Sequence, residues 1–255
     1  MIGSCRTPPS SGSNQEIRLH VAVAASVSEV FRELAEEYES RHGTRPVLRT
    51  VLSTGSTLSL AQQIRHGAPF DLFVAADVST PRQLAEEEFL IPETVRTYAR
   101  GRLIVKYIPT LTPGVRKLKG VGRLEDLRHP EIRRVGIASP ELAPYGRAAR
   151  EVLQAKGLWN ELQPKMVFGE HVKHVEQFLR TGNVEAAFLP LSLAGSKNYL
   201  LVDSSLHKPL DQALGIVQGT PHLEESRALA DFILGLPGRE FLQRAGYQQN
   251  FPQER

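Results

Sequence analysis

Three observations predict an α/β fold with mainly parallel sheets for this chain of 255 residues. Segments rich in β-branched residues alternate with segments whose apolar residues recur at helical spacing. The alternation runs to about residue 90 and starts again at residue 101, which indicates two blocks of similar construction. Hydrophobic residues make up 41% of the chain, enough to bury a sizeable core. The expected fold is therefore two lobes with a ligand site between them.

The first block contains three predicted strands, each followed by a predicted helix. After the strand at 17–25, apolar residues line one face of a helix at 26–43. Ser26, with Glu29 three residues later, matches a capping box, in which a hydroxyl and a carboxylate accept hydrogen bonds from amides at a helix start. The rest of the block is strand 46–52, helix 60–67, strand 71–77 and helix 80–90.

The second block begins with a strand at 101–108 and continues through a loop rich in Pro, Gly and Lys. A short helix and a strand that ends near Ala138 come next. The later elements are helix 146–159, strand 164–169, helix 171–182, strand 184–191, strand 213–219 and helix 223–235. We expect lobe I to comprise 16–97 and 198–255, lobe II to comprise 98–197, and residues 1–15 to form a flexible tail.

Charge and composition argue against several classes of protein. The net charge is only +3, the basic residues are scattered, and aromatic residues make up 7%, so nucleic-acid binding is not predicted. The sequence has no run of about 18 consecutive apolar residues, so no membrane-spanning helix is predicted. The single cysteine, Cys5, ends the stretch "IGSC", which resembles the end of a bacterial lipoprotein signal. Lipidation of Cys5 and an ordinary disordered terminus are the two alternatives.

Hydroxyl side chains lie at two predicted helix starts, each at the end of a strand. Ser26 follows the first strand, and the second is followed by "STGSTLS", with no charged residue in it. A helix N-terminus offers unpaired N–H groups and roughly half a positive charge. Hydroxyls and amides together can bind an anion without a cationic side chain. The alternative is that these residues are ordinary helix caps.

Other kinds of site find less support. The loop lacks the Gly-Lys-Ser/Thr of a phosphate loop, and the chain has no G-x-S-x-G motif. His171 and His174 have a spacing that could ligate a metal, but no third ligand accompanies them, so a solvated helix face is the favoured interpretation. Asp71 and Asp77 are the only carboxylates near the loops, and both are interpreted as strand-end residues. We therefore predict no enzyme and no metal held by side chains.

Several segments have an order and spacing typical of one family. They are "AASVSEVFRELAEEYESRHG", "GSTLSLAQQIRHGAPFDLFVAAD", "LEDL", "GRAAREVLQAKGLWNELQPKMVFGEHV" and "TGNVEAAFLPLS". From about Ile17 to Gly246, the chain resembles the molybdate-binding proteins of bacterial ABC importers, which are class II periplasmic binding proteins. The resemblance implies two α/β lobes joined by crossover strands, with a tetrahedral oxyanion held in the cleft by neutral groups.

The resemblance also implies particular binding residues. A serine at the end of the first strand corresponds to Ser26, and a hydroxyl in the second loop corresponds to Thr57, with Ser56 beside it. The residue after the proline that opens the second-lobe helix is Tyr145, and the valine of the "E-x-V" turn, Val172, supplies a backbone amide.

Two further positions are weaker candidates. Pro190 falls where the family often has a tyrosine, and proline offers neither an N–H nor a hydroxyl, so that contact must be lost or replaced. The phenol of Tyr145 is a candidate replacement. Leu58 also takes the place of a commonly small residue, and Ala25 is a further candidate beside Ser26.

The function that the resemblance implies is capture of molybdate, and also tungstate, outside the cell membrane and delivery to the permease subunits of an ABC importer. No cofactor is expected, and the protein is expected to be a monomer in the cell envelope, periplasmic or tethered through Cys5. One alternative is a binding protein for sulfate or another oxyanion on the same fold. The other is an intracellular module that senses an oxyanion, which would need a DNA-binding segment that 1–16 is too short to form.

Overall fold

The computed structural model describes residues 16–41, 47–109, 120–195 and 198–249. Its strands are β1 (Glu16–Ala24), β2 (Val47–Gly55), β3 (Leu72–Val74), β4 (Arg96–Arg100), β5 (Leu103–Tyr107), β6 (Val135–Ala138), β7 (Met166–Gly169), β8 (Ala186–Pro190), β9 (Tyr199–Leu201) and β10 (Asp211–Ile216). Its α-helices are α1 (Ser28–Arg41), α2 (Thr57–Arg65), α3 (Ser79–Glu86), α4 (Pro144–Ala155), α5 (Trp159–Leu162), α6 (Val172–Arg180), α7 (Leu223–Leu234) and α8 (Leu236–Arg244). Within these residues, no helix combines the length and apolar character that a membrane crossing requires.

Two five-stranded sheets form the frame, one in each lobe. The first has the order β2-β1-β3-β10-β4, and the second has the order β7-β6-β8-β5-β9. In the first, β1 is parallel to β2 and β3, whereas β10 is antiparallel to its neighbours. In the second, β6 is parallel to β7 and β8, whereas β5 is antiparallel to its neighbours. Each sheet thus has a single reversed strand, and the prediction of mainly parallel sheets in an α/β fold is confirmed.

The chain passes between the sheets twice, after β4 and after β9. The expected boundary at 97/98 falls inside β4, and the boundary at 197/198 precedes β9, which pairs with β5 in the second sheet. We propose that lobe I comprises 16–100 and 211–249 and that lobe II comprises 103–201, a shift of a few residues from the predicted division. The predicted tail at 1–15, including Cys5, lies outside the described residues.

The core explains why the central strands lack polar alternation. Leu19, Val21 and Val23 of β1 are fully buried, because helices cover both faces of the sheet. α1 packs on this sheet through Phe31 and Leu34, which are also buried. The carboxyl end of β1 therefore emerges from a rigid core directly at the cleft.

Four elements, β4, β9, α5 and α8, were not predicted from the sequence. β4 and β9 are short strands at sheet edges, so their sequences carry little apolar alternation. α8 begins "LPG", and a proline and a glycine ordinarily indicate a break, but proline is tolerated in the first turn of a helix. α2 begins at Thr57 instead of residue 60, because Ser56 serves as its N-cap.

Candidate functional site

The cleft between the lobes contains a small cavity where strands end and helices begin. The residues that line it from lobe I are Ala24, Ala25, Ser26, Gly55, Ser56, Thr57 and Ala76. The residues that line it from lobe II are Ala143, Pro144, Tyr145, His171 and Val172. The structure thus brings Ser26, Ser56, Thr57, Tyr145 and Val172 together around one space, with Ala25 beside them.

Ser26 places a buried hydroxyl beside the cavity. Its side-chain oxygen has no hydrogen-bond partner among the described residues, and the residue is only 4% exposed. Its backbone, in contrast, is well held, because its carbonyl accepts hydrogen bonds from the Ser192 hydroxyl at 3.0 Å and the Tyr247 hydroxyl at 2.8 Å. A buried hydroxyl without a partner costs stability, so its presence beside a cavity indicates a ligand that supplies the missing partner.

The predicted capping box at the start of α1 is wrong. The helix begins at Ser28, whose hydroxyl donates to the Ala25 carbonyl at 3.2 Å, and Glu29 does not turn back toward Ser26. Glu29 instead forms an ion pair with Lys173 of lobe II. This ion pair neutralises the carboxylate that would otherwise repel an anion in the cavity.

The second loop uses its two hydroxyls in different ways. Ser56 caps α2, and its side-chain oxygen accepts a hydrogen bond from the Ser59 amide at 3.2 Å. The Thr57 side-chain oxygen accepts a hydrogen bond from the Ala76 amide at 3.1 Å. Because a hydroxyl has one proton to donate as well as two lone pairs, both residues can still donate to a ligand.

Tyr145 lies at the start of α4, directly after Pro144, which occupies the first helical position. Its phenol oxygen accepts a hydrogen bond from Gln212 Nε2 at 3.0 Å, and Gln212 belongs to lobe I. Burial, reinforced by the nearby phenol of Tyr247, raises the pKa of the Tyr145 phenol well above its usual value. Tyr145 therefore remains a neutral donor at any physiological pH.

The start of α6 contributes the predicted Val172 amide and His171, which the sequence analysis did not assign to the anion site. α6 begins at Val172, so the Val172 amide belongs to the first turn, whose N–H groups have no partner within the helix. His171 is the N-cap, and its Nδ1 accepts a hydrogen bond from the His174 amide at 3.3 Å. The interpretation of His171 as part of a solvated helix face is wrong, because it is partly buried and lines the cavity.

His171 is also held in its neutral form. Burial, and then the neighbouring His174, lower the pKa of the His171 imidazole. The two rings lie with their centroids 3.8 Å apart. The position x of the "E-x-V" turn could have indicated this residue, because it precedes the first helical amide and is therefore the capping position.

The two weaker candidates differ in their placement. Ala25 lines the cavity, but its amide already donates to the Gly55 carbonyl at 2.9 Å. Pro190 ends β8, paired with Leu103 of β5, and is not among the described residues that line the cavity. Two positions later, Ser192 reaches the Ser26 carbonyl. Ser192 therefore contacts the backbone of Ser26 and is not among the described residues that line the cavity.

Charged residues lie on the margins of the site. Asp77 of lobe I forms an ion pair with Arg147 of lobe II, as Glu29 does with Lys173. Asp71 is buried elsewhere in lobe I and accepts a hydrogen bond from the His20 amide at 2.7 Å. The residues described contain no group of three or more His, Cys, Asp or Glu side chains arranged to hold a metal ion. The described residues that line the cavity include no Asp, Glu, Lys or Arg.

Two α/β lobes that close on a small polar cavity define the class of solute-binding proteins. The chain belongs to the family of bacterial extracellular solute-binding proteins, whose model matches residues 19–248. The fold and the sequence comparison thus agree, and the predicted resemblance is confirmed.

Two related proteins and one solved structure are similar to the chain over most of its length. The molybdate-binding protein ModA of Rhodobacter capsulatus is 31% identical over 229 residues, which cover 89% of this chain and 86% of that protein. The molybdate-binding protein ModA of Azotobacter vinelandii is 31% identical over 240 residues, which cover 91% of this chain and 90% of that protein. The solved structure of the Azotobacter vinelandii periplasmic molybdate-binding protein matches with a TM-score of 0.81 at 25% identity, covering 91% of this chain and 100% of that one.

Proposed function

We propose that this protein captures a tetrahedral oxyanion, molybdate or tungstate, outside the cell membrane and delivers it to the permease subunits of an ABC importer. One observation carries the proposal. The hydroxyl of Ser26 is buried beside a cavity with further neutral donors, and it has no hydrogen-bond partner in the part of the chain that the structure describes. The relatives whose names state that they bind molybdate cover nearly the whole chain and support the same ligand.

The donors around the cavity account for the binding of a doubly charged anion. Removing such an anion from water is very costly unless its oxygens receive hydrogen bonds in exchange. The hydroxyls of Ser26, Ser56, Thr57 and Tyr145 and the amide of Val172 can supply those bonds. The N-terminus of α6 adds the positive end of a helix dipole without a charged side chain.

The same donors select among anions. An oxyanion that still carries a proton, such as monohydrogen phosphate, needs an acceptor, and a shell of donors leaves its proton unpaired. Molybdate, tungstate and sulfate are all fully ionised, so discrimination among these three depends on the size of the cavity. No cofactor or catalytic step enters this account, because the ligand leaves the site unchanged.

Closure of the lobes completes the site. Residues from both lobes line the cavity, so an anion bound to one lobe gains the remaining donors when the other lobe approaches. Contacts between the lobes stabilise the closed form, among them the ion pair of Arg147 with Asp77 and the hydrogen bond from the Leu58 amide to the Leu142 carbonyl at 3.3 Å. A monomer is sufficient for this mechanism.

The proposal is tested by a thermal-shift series on ligand-stripped protein with molybdate, tungstate, sulfate and phosphate. A ligand at about 1,000 times its dissociation constant adds about 4 kcal/mol to the free energy of unfolding, which raises Tm by several degrees. We expect a large shift with molybdate and tungstate. A shift with sulfate alone would favour the alternative of a sulfate-binding protein. The replacement of the family tyrosine by Pro190 is the sequence feature that supports this alternative. No shift with any anion would contradict the proposal.

We further propose that Cys5 is lipidated and tethers the protein at the outer face of the membrane. The stretch "IGSC" and the Pro/Ser-rich residues that follow support this. The sequence has only four residues before Cys5, too few for the apolar segment of a lipoprotein signal, so the test uses the chain fused behind a complete lipoprotein signal that ends at Cys5. This protein should enter the membrane fraction of a bacterium, and Cys5→Ala should release it. If the parent and Cys5→Ala divide equally between the membrane and soluble fractions, lipidation of Cys5 is contradicted.

A further inference from the structure

Gln212 is the one fully buried glutamine in the described part of the chain, and it contacts a residue of the site without lining the cavity itself. It lies in β10 of lobe I. Its carboxamide bridges two buried phenols, with Nε2 3.0 Å from the Tyr145 hydroxyl and Oε1 2.8 Å from the Tyr98 hydroxyl. A side chain with both ends engaged in this way has a fixed orientation.

The local backbone is built around this contact. In the pairing of β10 with β4, Gln212 lies opposite Ala99 and Ala213 lies opposite Thr97, so the register skips Tyr98. Such a bulge re-aims a side chain, and here it directs the Tyr98 phenol toward the Gln212 carboxamide and the Ala75 carbonyl.

A glycine makes room for the contact. A Cβ at Gly101 would lie 1.9 Å from the Tyr145 hydroxyl oxygen and 2.8 Å from Gln212 Nε2. Any larger residue at 101 would therefore force the two groups apart. The Tyr145 hydroxyl can therefore occupy its position only because residue 101, where the chain first crosses between the lobes, is a glycine.

The direction of the hydrogen bond decides what Tyr145 can do. An amide NH₂ group only donates, so the phenol oxygen of Tyr145 accepts from Gln212 and its own proton must point elsewhere. The cavity that Tyr145 lines is where an acceptor would be found. Because its oxygen already accepts from Gln212, the Tyr145 hydroxyl directs its proton toward a ligand in the cavity and so faces it as a donor.

We propose that Gln212 is a specificity-determining positioning residue, which holds the Tyr145 hydroxyl as a donor and so excludes oxyanions that carry a proton. Gln212 belongs to lobe I and Tyr145 to lobe II, so this hydrogen bond forms only when the lobes are closed. The ligand is therefore selected in the closed state. This inference rests on the proposed function and adds a residue outside the binding shell.

The test compares dissociation constants for molybdate and inorganic phosphate at mildly alkaline pH, where phosphate is a dianion with one proton. Gln212→Met keeps the length of the side chain and removes its NH₂ group, and Tyr98 retains the Ala75 carbonyl as its acceptor. We expect the ratio of the dissociation constant for phosphate to that for molybdate to fall about tenfold in Gln212→Met. A change of this size is the effect of one hydrogen bond in a buried site. Gln218→Met, at an exposed loop position of the same lobe, is the matched control and should leave the ratio unchanged.

A double-mutant cycle separates this role from a purely structural one. In Tyr145→Phe, which has no hydroxyl to orient, Gln212→Met should change the ratio no further. Gln212→Leu also lacks the NH₂ group and leaves Tyr145 in place, so it gives the same comparison if Gln212→Met does not fold.

Each other outcome contradicts the inference. An unchanged ratio in folded Gln212→Met, or an equal fall in the Tyr145→Phe background, would overturn the role of Gln212 while leaving oxyanion binding in place. Failure of the wild-type protein to bind any of the oxyanions would instead overturn the proposed function, and the role of Gln212 with it.

Discussion

Ser26 and Ser56 occupy equivalent places, each between a strand of lobe I and the helix that follows, but the structure uses them differently. The Ser56 hydroxyl accepts a hydrogen bond from the Ser59 amide and so serves its own helix. The Ser26 hydroxyl has no partner among the described residues, and α1 begins two residues later with Ser28. A hydroxyl at a helix start is therefore not by itself evidence for either role. The distinguishing feature is whether its hydrogen-bonding capacity has already been used.

The largest expected effect comes from Ser26→Ala. Removing a hydroxyl that has no partner within the described ranges should not lower Tm of the ligand-free protein, whereas molybdate affinity should fall by about 1–3 kcal/mol. Calorimetric titration and thermal unfolding of the same samples measure both quantities. Ser28→Ala, a buried serine nearby that does not line the cavity, is the control and should bind as the parent does.

Thr57→Ala should show an affinity loss of similar size, about 1–3 kcal/mol, with an additional loss of stability. Its side-chain oxygen accepts a hydrogen bond from the buried Ala76 amide, which would be left unsatisfied. The same two measurements apply. If both Ser26→Ala and Thr57→Ala bind like the parent, the assigned site is wrong.

Ser56→Ala should destabilise the ligand-free protein, whereas Ser26→Ala should not. Loss of an N-cap typically costs about 1 kcal/mol, and Ser56 caps α2. Denaturant unfolding without ligand measures this cost, and Ser56→Asp, which restores an N-cap, should recover it. A stability equal to that of the parent would show that Ser56 resembles Ser26 after all.

A smaller effect is expected from the ion pair between Lys173 and Glu29, which links the lobes. Because both side chains are partly exposed, a contribution of about 0.2–1 kcal/mol is expected. Lys173→Gln should raise the molybdate dissociation constant a few-fold at low salt, and the difference should vanish at high salt. Arg128→Gln removes an ion pair within lobe II and should not change affinity at any salt concentration.

The smallest effect concerns the pH dependence of stability. The pKa of His171 is lowered in the folded protein, mainly by burial, so the unfolded chain binds the proton more tightly. The stability that this residue contributes is complete above the pKa of an unfolded histidine and is lost as pH falls below it. Tm of the ligand-free wild type should therefore fall more steeply between neutral and mildly acidic pH than Tm of His171→Asn, in which asparagine still caps α6. Parallel curves would contradict this.

The sequence predicted the alternation of strands and helices because burial on both faces of a sheet imposes continuous apolar runs such as β1. The convergence of strand ends in α/β proteins also brought together Ser26 and the hydroxyls of the second loop, whereas Tyr145 and Val172 came from the family resemblance. The sequence could not predict the partner of Glu29, because Lys173 is distant in the chain and adjacent only after the lobes close. For the same reason it could not find Gln212, which acts on Tyr145 from the other lobe.

The measurement that tests the central claim most directly is anomalous diffraction from crystals grown with tungstate, which locates the metal atom without reference to any assumed site. We predict one strong peak in the cleft, with the tungstate oxygens about 2.7–3.2 Å from the Ser26 hydroxyl, the Tyr145 hydroxyl and the Val172 amide. A peak elsewhere on the protein, or tungstate in the cleft with the Ser26 hydroxyl still unpartnered, would contradict the account.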